Sequence, residues 1–277
     1  MYGLVGKKLG HSFSKDYFTK KFSELNLDYS YQNIEIENIG DIIPFIKENK
    51  NLKGFNVTVP YKEEIIPYLD ELDPVAKEVG AVNTVKVYDD GKLKGFNTDV
   101  IGFEKLLEKT PRHRDAKLPS LILGSGGASK AVQYVLNKKN IPYKVVSRGF
   151  KLGMSYEEIN SIGFGPYSII INATPVGMFP NVNECLELPY STIGPDNVFI
   201  DLIYNPEETL FMKKARQNGA VAFNGLTMLH EQAEAAWEIW ELGIGSWELG
   251  LHHKNRQYVI DTSVLEVKIN NNLDKDR

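Results

Sequence analysis

The chain has 277 residues, 42% of them hydrophobic and 25% charged, enough for one large or two ordinary globular domains with a proper core. A net charge of −4 excludes a broad basic field, so neither nucleic acid nor an anionic membrane is the expected partner. The single cysteine, Cys185, excludes an internal disulfide framework and a paired-thiol metal or redox site. No apolar run reaches the ~18 residues of a membrane span and no secretory signal opens the chain, so the cytoplasm is the expected compartment.

Residues 2–5 read as a short apolar strand, followed by a polar loop that contains Gly10-His11-Ser12-Phe13-Ser14. Two serines two positions apart in an extended segment point the same way and present two hydroxyls to one carboxylate or diol; Ser14 serves equally well as a cap for the next helix. That helix carries Phe18, Phe22 and Leu25 on one face and stops near Asn26. A strand over 29–36 and a helix over 41–49, with Pro44 in its first turn, continue a βα alternation that predicts a mostly parallel sheet.

Gly54-Phe55-Asn56-Val57-Thr58-Val59-Pro60-Tyr61-Lys62 reads as a strand ended by proline, with Lys62 opening a helix to residue 69. A lysine at a helix N-terminus opposes the macrodipole, so either it is a solvated surface group or its place has another reason. A helix over 73–79, the segment Ala81-Val82-Asn83-Thr84 and a hairpin turning at Asp89-Asp90-Gly91 come next. Asn97-Thr98-Asp99 then leads into a helix with Val100, Phe103 and Leu107 in phase, where Asp99 has the position of an N-cap and Asn83 that of a turn residue.

Past a polar connection at 110–119, the strand 120–123 runs into Gly124-Ser125-Gly126-Gly127-Ala128-Ser129 and a helix with Ala131, Val132, Val135 and Leu136 in phase, then a strand at 143–147. This βαβ unit predicts a dinucleotide phosphate cradle: glycines let the backbone approach a pyrophosphate, and the amides opening the helix face its charge. Where an NAD site places an acidic residue on the ribose, this chain has Ser147-Arg148, and no acidic residue occurs between Gly124 and Glu157. An arginine there pairs with a 2′-phosphate, with Lys151 nearby, so the expected cofactor is NADP. Strands at 167–171 and 198–203 end in the loops Asn172-Ala173-Thr174-Pro175-Val176-Gly177-Met178 and Tyr204-Asn205-Pro206. Asn224-Gly225-Leu226 opens a last helix with Leu229, Ala233, Ala236, Trp237 and Trp240 on its apolar face and His230 and Gln232 off it. The tail 251–277, with His252-His253 and an alternating stretch at 258–269, carries no derivable function, and no metal site is expected.

Taken in order, these motifs resemble the shikimate dehydrogenase family over residues 1–245. The resemblance implies an α/β chain in which an N-terminal α/β substrate domain (1–100, completed by 229–250) carries a Rossmann-type NADP domain (101–228). It implies reversible NADP-dependent reduction of 3-dehydroshikimate to shikimate, on the route to chorismate and the aromatic amino acids, by a monomer or homodimer. By position, Lys62 corresponds to the family's catalytic lysine with Asp99 as its partner. Ser12 and Ser14 correspond to carboxylate-binding serines, and Thr58, Asn83, Asp99 and Gln232 to residues on ring hydroxyls, with Tyr204 close by. Gly124, Ser125, Gly126, Gly127, Ala128, Ser147, Arg148, Thr174 and Gly225 correspond to the cofactor site. Lys15 departs from the family's usual proline, and Ser147-Arg148-Gly149 from its Asn-Arg-Thr, which removes two polar groups from the adenosine pocket. The alternatives are a quinate/shikimate dehydrogenase using NAD or NADP, and a catalytically silent nucleotide-binding regulator; the retention of Lys62 and Asp99 argues against the second.

Overall fold

The computed structural model describes residues 1–10, 12–111, 118–148 and 153–242; the expectations for His11, Lys151, His252-His253, 258–269 and the tail lie outside them. The first half contains β1 (Tyr2–Gly6), α1 (Phe13–Glu24), β2 (Tyr31–Glu35), α2 (Ile42–Glu48), β3 (Gly54–Val57), β4 (Glu71–Leu72), α3 (Pro74–Val79), β5 (Thr84–Val87) and β6 (Leu93–Phe96). Its strands form a six-stranded sheet in the order β2-β1-β3-β5-β6-β4. β1 runs parallel to β2 and β3, as helical crossovers require, but β5 pairs antiparallel with β3 and with β6. This sheet is therefore mixed, because the short loop through Gly91 (φ +84) turns β5 straight back into β6.

After α4 (Asp99–Lys109) the chain builds β7 (Ser120–Leu123), α5 (Gly127–Lys138), β8 (Tyr143–Val146), α6 (Tyr156–Ile162), β9 (Ile169–Asn172), β10 (Val198–Asp201), α7 (Leu210–Gln217) and β11 (Val221–Phe223). These strands form a five-stranded, all-parallel sheet in the order β11-β10-β9-β7-β8. The strands are almost continuously apolar, as expected of a sheet covered on both faces. α8 (Leu226–Leu242) closes the described chain.

α8 joins both halves. Its Met228 lies in a core with Val100, Phe103 and Leu107 of α4, Ile122 of β7, Ala131 and Val135 of α5, and Val75 and Val79 of α3. Further along, Ala233, Ala236, Ile239 and Trp240 enter the core of the first sheet among Tyr2, Phe18, Phe22, Tyr31 and Phe96. There Tyr2 stacks on Trp240 at 4.7 Å and Phe18 on Tyr31 at 4.8 Å, while the Trp240 indole donates to the Val85 carbonyl at 3.0 Å.

Several local expectations change. Leu25 is 51% exposed as the C-cap of α1, so only Phe18 and Phe22 form its apolar face; Asn26, at φ +53, ends the helix as expected. Ser12, not Ser14, caps α1, and Ser14 already lies in its first turn, so the two serines do not share an extended segment. Lys62 opens no α-helix: residues 58–65 form successive turns before a single 3₁₀ turn, Ile66–Tyr68, so the macrodipole argument does not apply. Helix α6 was not anticipated, although its capping box, in which Ser155 and Glu158 exchange side-chain and backbone hydrogen bonds, is visible in sequence as S-x-x-E.

Trp240→Ala removes the ring that ties the last helix to the first sheet and the hydrogen bond its indole makes to the Val85 carbonyl. Truncating such a buried aromatic costs about 3–5 kcal/mol, so urea denaturation followed by circular dichroism is expected to show a loss of that size. A loss below about 1 kcal/mol, the scale of an ordinary surface substitution, would show that α8 does not help hold the first sheet together.

Candidate active site

Lys62 and Asp99 meet although 37 positions separate them: the ammonium Nζ lies 2.5 Å from Asp99 Oδ2, with the two side chains only 16% and 7% exposed. The expected capping role of Asp99 is not what the structure contains. Thr98 is the N-cap residue of α4, Asp99 is its first helical residue, and the carboxylate faces Lys62. Lys62 is held from behind by its own carbonyl, which accepts from the Val82 N–H at 2.7 Å.

The other carboxylate oxygen is held by Asn83, whose Nδ2 donates to Asp99 Oδ1 at 2.9 Å and to Thr98 Oγ1 at 3.0 Å. The Thr98 N–H, which can only donate, lies 2.7 Å from Asn83 Oδ1 and so determines which end of the amide is oxygen. The Thr84 hydroxyl donates to that same oxygen at 3.2 Å. Asn83 is 2% exposed and both its amide hydrogens and its acceptor are engaged within the protein. In this structure the amide orients Asp99.

The network extends further than sequence reasoning reached. The Ser14 hydroxyl is bonded to the Tyr31 oxygen, Tyr31 donates to Asn56 Oδ1 at 2.8 Å, and Asn56 Nδ2 donates to Thr84 Oγ1 at 3.1 Å. A chain of buried polar groups thus connects the serine loop to Asp99. Burial holds the Tyr31 phenol above its usual pKa range, so it stays a neutral donor. Asn56 lies between Phe55 and Val57 in β3 and Tyr31 between Ser30 and Gln32 at the start of β2, and nothing local distinguishes either from an ordinary strand residue.

Parallel register sets the cofactor-side residues along one edge of the second sheet. Leu123 pairs with Val146 on one side and with Asn172 on the other, and Asn172 with Asp201, so the segments beginning at Ser147, Gly124, Ala173 and Leu202 leave together. The chain crosses from β8 on one flank of β7 to β9 on the other at this edge, which is where open parallel sheets bind ligands. Gly124, at φ +104, makes the turn, and a side chain on it would meet Thr174 Cγ2 at 2.9 Å. A Cβ on Gly126 would meet nothing within 4 Å, which leaves the backbone of the turn open to a close ligand. Ser125 is exposed, Ala128 half-buried, Ser147 half-buried and Arg148 exposed just past β8. The residues present thus fit a dinucleotide: an open glycine turn at a helix start, with an arginine and no carboxylate at the end of the next strand.

The two halves meet at the lysine. A Cβ built on Gly127 would lie 3.2 Å from Lys62 Cβ and 3.3 Å from its Cδ. Beside the serine loop, Phe13 makes edge contacts with Tyr204 at 5.8 Å and with His230 at 5.0 Å. Burial raises the Tyr204 phenol, whereas burial and the positive charge of Lys109 lower His230, which is therefore neutral among its aromatic neighbours. Its Nε2 is buried without a partner, so His230 is neither a surface nor a satisfied histidine. Ser12 is buried at the start of α1, and Thr58 is half-buried at the end of β3. Gln232 donates to the Leu229 carbonyl at 2.9 Å and keeps its amide oxygen for other use, and Gly225 is buried against the Leu202 carbonyl. Among the described residues no cluster of metal ligands occurs and no helix is long and apolar enough to cross a membrane.

Known proteins resemble this chain over most of its length. A family model described as the shikimate dehydrogenase substrate binding domain matches residues 4–85. The shikimate dehydrogenase (NADP(+)) of Methanococcus maripaludis strain S2 is 39% identical over 256 residues, 86% of this chain and 90% of that protein. Among solved structures, shikimate dehydrogenase 1 from Peptoclostridium difficile matches with a TM-score of 0.78 at 38% identity, over 91% of this chain and 96% of that one. Shikimate 5-dehydrogenase from Thermus thermophilus, in complex with NADP(H) and shikimate, matches with a TM-score of 0.75 at 28% identity, over 88% of this chain and 93% of that one.

Asp201, fully buried at the end of β10, accepts from Asn172 Nδ2 at 3.0 Å, the Ile203 N–H at 3.1 Å and the Thr209 hydroxyl at 2.6 Å. All three donors are neutral, burial dominates, and the carboxyl is pushed up to about 6. A folded-state value above the unfolded one means that the native protein holds the proton more tightly, so its contribution is fully present below about pH 4 and declines as pH rises to about 6. The stability of the native protein relative to Asp201→Asn is accordingly expected to fall by about 3 kcal/mol between pH 4 and 7, measured by urea titration at each pH. A constant difference would show that Asp201 titrates as an ordinary carboxylate.

Proposed function

The chain belongs to the shikimate dehydrogenase family, and on that premise we propose that it catalyses the reversible NADP-dependent reduction of 3-dehydroshikimate to shikimate, with Lys62 as general acid and base. The observation that carries the reading is the Lys62–Asp99 pair, with Lys62 against Gly127 where the glycine turn enters α5, at the junction of the two halves. NADPH, when bound along that turn, supplies the hydride. Reduction of a ketone places negative charge on its oxygen, and a nearby ammonium both stabilises that charge and supplies the proton that makes the hydroxyl.

In this reading residues 1–100, completed by 229–250, form the substrate domain, and residues 101–228 the cofactor domain. Ser12 and Ser14 hold the ring carboxylate, while Thr58, Asn83, Asp99 and Gln232 bind ring hydroxyls beside Tyr204. The Lys62 ammonium donates its proton to the C3 oxygen and recovers one from solvent; in the oxidative direction the neutral amine takes it back. Asp99, kept in place by Asn83, holds the lysine on that path. Ser147 and Arg148 engage the 2′-phosphate end of the cofactor, Thr174 and Gly225 its nicotinamide end. The lone half-buried thiol of Cys185 suits a reducing cytoplasm, and the enzyme works as a monomer or homodimer.

The purified protein is expected to oxidise NADPH in the presence of 3-dehydroshikimate, followed by absorbance of the reduced nicotinamide, and to act little on 3-dehydroquinate or with NADH. Preference for 3-dehydroquinate and NADH would select the quinate dehydrogenase alternative, and no oxidation in any combination the silent regulator. Lys62→Ala is expected to lower kcat by about 10²–10⁴-fold with a smaller change in KM, whereas an unchanged kcat would remove Lys62 from the chemistry. Ser14→Ala and Gln232→Ala are expected to raise the KM for 3-dehydroshikimate more than they lower kcat, and an unaltered KM in both would remove them from the pocket. Arg148→Ala is expected to raise the KM for NADPH and leave that for NADH in place; equal effects on the two would show that the guanidinium does not read the phosphate.

A further inference from the structure

The three glycines of the cradle have different surroundings. Gly124 makes the turn at a positive φ, and Gly126 leaves the backbone open, with nothing within 4 Å of a built Cβ. Gly127 does neither: its φ is not in the left-handed region, and the space beside it is already filled. A Cβ there would come within 3.2 and 3.3 Å of the Lys62 stem and 3.7 Å of the Ala81 methyl. We propose that Gly127 is a positioning residue for Lys62, its missing side chain forming the seat against which the lysine's methylenes rest.

Three independent restraints then act on one side chain. The backbone of Lys62 is held by the Val82 N–H at 2.7 Å, its ammonium by Asp99 at 2.5 Å, and the flank of its stem by Gly127. A fourth contact keeps the two segments in register: Lys130, one helical turn after Gly127, pairs with Glu63, the residue after Lys62, at 2.6 Å. Those two side chains are 34% and 46% exposed, so the pair is weak by itself and serves alignment more than stability. A long lysine has many rotamers, and the approach of its ammonium to a reacting oxygen tolerates little error, since displacements near 1 Å cost about 10²-fold in rate. A methyl at position 127 moves the stem by a few tenths of an ångström, either toward or away from the cleft.

The inference rests on Lys62 as the general acid, and Gly127→Ala tests it cleanly because alanine is the better helix former at this first residue of α5 and its backbone fits without strain. Three variants, Gly127→Ala, Gly126→Ala and Lys62→Ala, are compared for kcat, for the Kd of NADPH measured by nicotinamide fluorescence without substrate, and for Tm. Gly127→Ala is expected to keep or raise Tm, to lose about 5- to 50-fold in kcat, and to change the Kd of NADPH by less than it changes kcat. Gly126→Ala is expected to weaken NADPH instead. A wild-type kcat in Gly127→Ala, or an NADPH Kd that rises by as much as kcat falls, overturns the proposal while a slow Lys62→Ala leaves the general-acid reading standing. A full kcat in Lys62→Ala overturns both.

Discussion

The arrangement depends on one ion pair that the protein has taken out of water. Lys62 and Asp99 lie 2.5 Å apart with little exposure, and burying two charges costs several kcal/mol per ion unless their remaining hydrogen-bonding capacity is met. The first half of the chain meets it with neutral groups. Asn83 saturates the second carboxylate oxygen, the Thr98 backbone locks the Asn83 amide, and Thr84, Asn56 and Tyr31 extend the line to Ser14. A polar chain in a low-dielectric core is worth having only when each member is satisfied. Here the members are satisfied in sequence, so the position of the carboxylate is defined through a rigid sheet and not through a mobile side chain.

The second half contains a buried carboxylate in different company. Asp201 has three donors, none of them charged, and burial raises its pKa, whereas Asp99 sits against an ammonium. The contrast shows what the junction contributes. Asp201 braces the ends of β9 and β10 by gathering Asn172 and Thr209, a task that neutral hydrogen bonds perform. Asp99 instead faces the Lys62 ammonium, and holding a cation out of water requires an opposite charge. Parallel register carries the loops of the second sheet to one edge, and the approach of α5 to Lys62, permitted by the absence of a side chain at Gly127, brings that edge to the lysine.

Local pattern made much of this legible. Apolar spacing located α5, with Ala131, Val132, Val135 and Leu136 all buried, and the glycine turn located the start of the helix. The absence of an acidic residue after β8 pointed to NADP unaided, because that position is read by a single side chain. Failures came where a residue's local signal had two outcomes. Asp99 had the position of a cap and became an ion-pair partner, Lys62 had the position of a helix start and lies in a turn, and Ser12 took the cap that Ser14 had been offered. Tyr31 and Asn56 had no signal, since a polar atom in a strand is silent until its partner across the sheet is known.

The amino-acid sequence by itself determined most of the elements, the cofactor turn and the residue types available for proton transfer, because periodicity, glycine spacing and side-chain chemistry act over a few positions. Tertiary structure alone decided which of those residues meet. Lys62 finds Asp99 across 37 positions, Tyr31 finds Asn56 across 25, and Trp240 returns across 155 to the carbonyl of Val85. Such contacts arise from close packing of distant segments, where a few tenths of an ångström separate a hydrogen bond from a void, and no short-range pattern encodes a distance of that kind.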